Sequence, residues 1–106
     1  MAKYLITASY TVEGAKGLIK EGASGRQTAV QKAVAGLGGT IDAMYFALGD
    51  ADAYVICDFP DVTSVLALSL AVGASGGARV TTTPLVSVAE LDAAAKKSVS
   101  YRAPGA

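Results

Sequence analysis

The sequence predicts an α+β domain whose elements follow the order β-α-β-β-α-β, with one more helix near the C-terminal end. Runs rich in β-branched residues alternate with runs of helical periodicity, and Gly-, Pro- and Asp-containing turns separate them. The length of 106 residues suits a single domain. This order is the ferredoxin-like, or split βαβ, arrangement. We assign the domain to residues 1–97 and a loose tail to residues 98–106.

The first half of the chain predicts one strand and a long helical segment. Residues 3–10 are rich in β-branched and aromatic side chains, which favours a strand. Thr11 is a suitable N-cap, and Glu13 places a negative charge in the first helical turn. Apolar residues then recur at helical spacing over 15–37, and a Gly-Gly pair ends the segment.

The second half predicts a hairpin, a helix, a strand and a short helix. Their spans, in order, are 40–48 and 53–59 for the hairpin strands, 62–74 for the helix, 79–88 for the strand and 89–97 for the last helix. Asp61 follows Pro60 and is a suitable N-cap for the helix.

Pairing the hairpin around a turn at residues 49–52 places Leu48 opposite Ala53 and separates two faces. One face is wholly apolar and is expected to lie under the helices: Met44, Phe46, Leu48, Ala53, Val55, Cys57 and Phe59. The other is also mostly apolar: Ile41, Ala43, Tyr45, Ala47, Tyr54, Ile56 and Asp58. A solvent-facing sheet surface normally carries polar residues. We therefore expect a second sheet to cover it, as in a homodimer or a higher homo-oligomer.

The composition limits the classes of partner. The chain is 52% hydrophobic and 17% charged, against roughly 25% charged in an average soluble domain. A small domain cannot bury so much apolar surface alone, which again favours self-association. Nine basic and nine acidic residues balance, and no basic stripe is present, so neither nucleic acid nor a membrane is an expected partner.

Histidine is absent, and cysteine occurs once. The commonest metal ligand and the usual general base near neutral pH are thus missing, so we expect no metal and no cofactor. The N-terminal segment lacks the apolar run of a signal peptide, and the most apolar stretch, residues 62–74, is too short and too interrupted to span a bilayer. A cytoplasmic location is expected.

Residues 20–26, KEGASGR, interrupt the first helical segment. They match neither the Walker A nor the Rossmann pattern, and they follow a helix rather than a strand. Ser24 and Gln27 fit a capping box, so one helix could stop near Gly22 and another restart at Ser24; a single kinked helix is the alternative. A new helix N-terminus beside Arg26 would suit an anion, although a structural break is the simpler interpretation.

Three polar residues share the second sheet face: Tyr45, Tyr54 and Asp58. Inside an apolar cavity between two sheets they could orient a small ligand. Alternatively, they hydrogen-bond across a dimer interface, where tyrosine is favoured. Arg26 and Arg79 are the arginines before the tail, and either could bind a carboxylate, although ordinary ion pairs are the alternative. Cys57 is expected to be an inert core thiol.

Several segments together resemble the GYD-domain proteins, a family of small bacterial proteins named for a Gly-Tyr-Asp signature in the hairpin turn. They are GLIKEGASGRQTAV (17–30), LGGTIDAMYFALG (37–49), LGDADAYVICDFPD (48–61) and GGARVTTTPL (76–85). Gly49 and Asp52 match the signature, with Ala51 where tyrosine is usual. The resemblance covers roughly residues 3–93. It implies a dimeric α/β barrel of uncharacterised function.

Two functions follow as hypotheses. The first is a non-enzymatic module for small-ligand binding or assembly. The second is a cofactor-independent monooxygenase or isomerase that acts on a small aromatic or polyketide-like compound, with Tyr, Asp and Arg moving or stabilising protons. An open pocket lined by Tyr45, Tyr54 and Asp58 would favour a ligand, and a filled space between the sheets would favour assembly.

Overall fold

The computed structural model describes all residues, 1–106, as an α+β fold with one four-stranded sheet and four helices. The strands are β1 (Ala2–Tyr10), β2 (Thr40–Phe46), β3 (Ala53–Phe59) and β4 (Ala78–Leu85). The helices are α1 (Val12–Glu21), α2 (Ala23–Gly36), α3 (Val62–Ser75) and α4 (Val88–Ala95). The order of elements agrees with the prediction, except that the first helical segment is two helices. None of the four has the length and apolar content needed to cross a bilayer.

The sheet is antiparallel and open, with the order β2-β3-β1-β4. The predicted α/β barrel is therefore not formed by one chain, because its sheet is open. Closure would require the two edge strands, β2 and β4, to pair with each other, and four strands do not reach around. A barrel of the dimeric kind would need a second copy.

The register of the β2–β3 hairpin differs from the prediction by two residues. Phe46, not Leu48, lies opposite Ala53. The connection spans residues 47–52 rather than a four-residue turn, and the Ala47 amide donates to the Asp52 carbonyl across it at 2.8 Å. A shift of two keeps the side chains of residues 43–46 on their predicted faces, because strand side chains alternate with period two.

A β-bulge at Asp42 changes the face of the residue before it. Ile41 pairs with Cys57 while Ala43 pairs with Ile56, so Asp42 is the extra residue. Ile41 therefore packs against the core under the helices. Alternation alone predicted the opposite face for this residue, and that prediction is wrong.

We call the side of the sheet under α2 and α3 the covered face, and the other side the free face. Along β3 the covered face shows strict alternation, with Ala53, Val55, Cys57 and Phe59 all buried. Val34 of α2 and Val65 of α3 pack onto it, each 1% exposed. The covered face predicted for this strand is confirmed.

Helix starts follow the expected side-chain caps. The Thr11 hydroxyl accepts a hydrogen bond from the Gly14 amide at 3.1 Å, and Asp61 Oδ1 accepts from the Ser64 amide at 2.8 Å. Each bond satisfies a donor that lacks a partner inside its helix. The hydrogen bonds lower the pKa of the Asp61 carboxyl, since they favour its charged form.

The KEGASGR segment is a break between two helices at Gly22. Its backbone, at φ 83° and ψ 158°, lies in a region that is essentially restricted to glycine. The Gly22 amide donates to the Leu18 carbonyl, and its own carbonyl accepts from the Arg26 amide. The predicted capping box at Ser24 is wrong, because α2 already starts at Ala23 and Gly22 is its N-cap.

A close backbone contact joins α1 to the start of β4. A Cβ built at Gly14 would lie 1.7 Å from the Gly77 carbonyl oxygen, so only glycine fits there. The Thr11 amide donates to that same carbonyl at 3.0 Å. This contact holds the first turn of α1 against the end of the sheet.

Residues 86–106, which we call the C-terminal arm, are exposed throughout. They include α4, which is capped locally by Ser87 and Glu90. The radius of gyration is 16.9 Å and the longest extent 56 Å, whereas a compact chain of this length has a radius near 13 Å. The arm therefore projects from the domain and carries exposed Val88, Leu91 and Tyr101 with it.

Candidate functional site

A cavity of about 330 Å³ lies between the covered face and the helices α2 and α3. We call it the helix–sheet cavity. Fifteen of its twenty lining residues are hydrophobic. The sheet contributes Ile6, Ala8, Ala53, Val55, Ala78 and Val80, and the helices contribute Ala29, Val30, Ala33, Leu68, Ala71 and Val72.

Small residues explain why the space is open. Ala8, Ala53 and Ala78 are on the sheet, and alanines of α2 and α3 face them. A layer of helices rests on a sheet at a distance set by the largest side chains between them, and methyl groups cannot fill that gap. The two aromatic residues of the core, Tyr4 and Phe59, do not line the cavity, whereas Ile6, Val34 and Val55 do.

The polar groups of the cavity include Arg26 and Tyr10. Arg26 is the single charged residue in the lining, and no carboxylate belongs to it. The Arg26 Nε is buried and has no hydrogen-bond partner. Its nearest carboxylate oxygen is Glu21 Oε2 at 3.4 Å, an ion pair without hydrogen-bonding geometry. The Nε–H donor of this guanidinium is consequently unsatisfied.

The helix break determines where Arg26 lies. It belongs to the first turn of α2, whereas its counterion Glu21 is the last residue of α1. A continuous helix would separate residues five apart by more than one turn. The turn at Gly22 brings the two side chains together, each 36% exposed.

Tyr10 ends β1 on the covered face, and its backbone amide donates to Asp52 Oδ2 at 2.8 Å. Burial raises the pKa of its phenol, and the charge of Arg26 opposes that rise. The hydroxyl is therefore protonated at neutral pH and available as a hydrogen-bond donor. A second recess of about 400 Å³, more open to solvent, lies beyond Tyr10 and is lined by Leu18, Phe46 and Leu48 among others.

Three of the predicted site residues lie elsewhere. Tyr45 and Tyr54 are cross-strand neighbours on the free face, 70% and 37% exposed. Asp58 shares this face, where its Oδ2 accepts a hydrogen bond from Lys3 Nζ at 2.9 Å. None of the three lines the helix–sheet cavity. Asp58 thus has a partner within its own chain.

The two predicted arginines are on different faces. Arg26 lines the cavity, as described above, whereas Arg79 is exposed on the free face opposite Ser9 and has no carboxylate within 4 Å. Lys3 on that face also pairs with Asp42, the bulged residue. The free face therefore has an acidic cluster at one end and an unpaired cation at the other.

Sequence reasoning missed Tyr10 as a site residue. A signal existed, because Tyr10 continues the alternation of Tyr4, Ile6 and Ala8 toward the covered face. Cys57 has the environment expected of it: the side chain is fully buried, and burial raises the pKa of its thiol to about 11.

The GYD domain family model matches residues 4–95 of the chain. This match covers most of the 106 residues and confirms the family resemblance seen in the sequence segments. Searches of the curated proteins and of the solved structures found no match.

Proposed function

We propose that this chain, which belongs to the GYD domain family, binds a small and largely apolar molecule in its helix–sheet cavity. The observation that carries the proposal is the cavity itself: about 330 Å³, mostly apolar walls, and few polar groups. Binding sites for small molecules share these properties, with volumes of roughly 300–1,000 Å³.

The cavity opens to solvent, because Ala33, Ala71 and Ser75 in its lining are exposed, and it is larger than the gaps that ordinary packing leaves. Protein interiors contain few voids larger than one water molecule, whose share of liquid volume is about 30 Å³. The walls come from all four strands and from α1, α2 and α3, so the space is built by both halves of the chain. Water molecules are poorly stabilised in this cavity, because most of its wall offers no hydrogen-bond partner.

The state of Tyr10 favours binding over proton transfer. A monooxygenase or isomerase without a cofactor needs a group that removes a proton near neutral pH. The pKa of Tyr10 is raised, which makes the phenol a weaker acid and leaves it a donor. It suits holding a ligand oxygen, so the non-enzymatic hypothesis is the one we retain.

Binding of a neutral aromatic probe, 2-naphthamide, tests the proposal by isothermal titration calorimetry. We expect one equivalent to bind and Ala29→Phe, which fills the cavity, to remove the binding. Ala35→Phe is the matched control, since Ala35 is exposed on the same helix and lies outside the cavity. Unchanged binding by a folded Ala29→Phe variant would show that the probe binds elsewhere and would refute the proposal.

We further propose that two copies associate through their free faces, which gives the dimeric barrel of the family resemblance. Leu5, Ala43 and Ile56 make the centre of the free face apolar, and no helix packs there. Arg79 and the acidic cluster of Asp42 and Asp58 lie at diagonally opposite corners of this face, so a two-fold pairing with crossed strands would bring the Arg79 of each copy toward the carboxylates of the other. Complementary charges of this kind set the register of an interface.

The area of the free face indicates whether the sheet alone could form a stable dimer contact or whether the C-terminal arm must contribute. Four strands about 4.8 Å apart and seven residues long cover roughly 19 by 23 Å. That footprint is about half of the 800 Å² or so that each partner buries in a stable complex. We infer that the C-terminal arm adds to the contact, so removal of residues 86–106 is expected to weaken the dimer without unfolding the domain.

A further inference from the structure

We propose that the ligand of the helix–sheet cavity carries a carboxylate, and that this carboxylate takes the place of Glu21 at Arg26. The inference rests on the proposed function, because it names the chemical class of the molecule that the cavity holds. It follows from three features of the cavity: its charge, the pairing of Arg26, and the second donor.

The charge of the lining is positive. Arg26 is its single charged residue, and the remainder is apolar or neutral. With a neutral ligand bound, the Arg26 guanidinium would face the cavity without a negatively charged group inside it. An anionic group on an otherwise apolar molecule matches this wall, since a guanidinium binds a carboxylate through two parallel hydrogen bonds.

The present counterion of Arg26 is held weakly. Glu21 Oε2 lies 3.4 Å from Nε without forming a hydrogen bond, and the Nε atom is buried. Glu21 is not part of the cavity lining, and its stem crosses Gly25, where the absence of a side chain leaves it room. A ligand carboxylate inside the cavity could bind Arg26 while Glu21 turns out into water.

Tyr10 supplies a second donor for the same group. Its hydroxyl is protonated at neutral pH, for the reason given above, and its residue lines the same cavity. One guanidinium and one phenol suit a monoanion. A phosphate dianion would keep one negative charge that the single guanidinium of the lining does not balance.

The test compares 2-naphthoate with 2-naphthamide, which have nearly the same shape and differ in charge. We expect the native protein to bind the acid roughly tenfold or more tightly, the usual effect of a charge-assisted hydrogen bond. Arg26→Gln should abolish that preference, so that the acid and the amide bind with similar affinity to this variant. Arg79→Gln, on the free face, is the matched control and should keep the preference.

Glu21→Gln gives the decisive result, because it moves the affinity in the opposite direction. Removing the competing carboxylate should tighten acid binding several-fold and leave amide binding alone. Glu21 is exposed, so this variant is expected to fold. Equal binding of acid and amide by the native protein, or no gain in Glu21→Gln, would overturn the carboxylate assignment while the cavity proposal stands. Absence of binding by both probes would refute both proposals.

Discussion

The two faces of the sheet are formed by alternate residues of the same strands, yet they meet different surroundings. On β3 the covered face carries Ala53, Val55, Cys57 and Phe59, all buried by helices of the same chain. The free face carries Tyr54, Ile56 and Asp58, which no helix covers. Across the whole sheet the free face is mixed, with apolar Leu5, Ala43 and Ile56 at its centre and polar Thr7, Thr81 and Thr83 toward β4. The comparison teaches that apolar side chains indicate a sheet surface that is buried by something. The positions of the chain's own helices determine which of the two faces they bury.

The largest contrast is expected between two aromatic residues of β3. Phe59→Ala should lower the free energy of unfolding by about 3–5 kcal/mol, because the side chain is fully buried and leaves a cavity. Tyr54→Ala, on the free face, should cost little at low protein concentration and more at high concentration, where association adds stability. Urea unfolding at two concentrations measures both. Equal, concentration-independent losses would mean that the faces are equally buried within one chain.

Association through the free face should be sensitive to a charge at its centre. We expect Ile56→Lys to weaken the proposed dimer about a hundredfold or more, since each copy would bury an unpaired ammonium group. Leu70→Lys is the control, because Leu70 is exposed on α3 away from the sheet. Sedimentation equilibrium gives the dissociation constants. A dimer that tolerates Ile56→Lys but not Leu70→Lys would place the interface on the helices.

Alanine substitutions at two glycines of α1, Gly14 and Gly17, test how closely this helix packs against the rest of the domain. Gly14→Ala should destabilise the domain by about 1–3 kcal/mol, because the added methyl group would overlap the Gly77 carbonyl. Gly17→Ala adds its methyl group where no atom lies within 4 Å, and should stabilise α1 by about 0.5–1 kcal/mol. Thermal unfolding of both variants should therefore move in opposite directions. Similar shifts would contradict the close contact between α1 and β4.

The smallest effect concerns the ion pairs of the free face. The hydrogen bond from Lys3 lowers the pKa of Asp42 from its ordinary 3.8, and the same bond raises the pKa of Lys3 from 10.5. Asp42 therefore contributes stability above pH 4, which is lost as pH falls through its lowered pKa. Lys3 contributes below pH 10.5, and its contribution is lost as pH rises through its raised pKa.

Asp42→Asn should thus be slightly less stable than the native protein between these limits, and the difference should vanish in acid. Both residues are exposed, so the effect is small. Urea midpoints at pH 2.5, 5 and 7 measure it. A difference that persists at pH 2.5 would assign the role of Asp42 to the geometry of the bulge rather than to its charge.

Much of the fold could be predicted because its signals are local. The caps at Thr11 and Asp61 depend on one side chain and an amide three residues later, and both formed. The alternation along β3 identified the covered face correctly, since four consecutive odd positions are apolar. Element order followed from these signals and from turn residues.

The bulge and the hairpin register could not be predicted, because the sequence gives no contrast between the faces of β2. Ala47 and Leu48 extend the apolar run beyond the strand, so several registers bury equal numbers of apolar groups. The bulge at Asp42 lets that carboxylate reach Lys3 of β1, two strands away. Such a contact depends on tertiary structure.

The candidate site also has one part that the sequence could predict and another that it could not. Arg26 was identified from the helix break, which is a local feature of Gly22. The cavity itself depends on alanines in five elements that are distant in sequence, and on the larger side chains that keep the layers apart. Tyr45 and Tyr54 lie on the face that the alternation predicts, but one chain alone encloses no space there.

The two edges of the sheet have a consequence for growth into fibres. An edge strand with free backbone donors and acceptors can recruit a strand from another molecule and repeat without limit. Here β2 is interrupted by the bulge at Asp42, and β4 contains Pro84, which has no amide hydrogen. Both edges are therefore poor templates, so the apolar surface that this chain exposes is not accompanied by a strand edge on which an endless ribbon could grow.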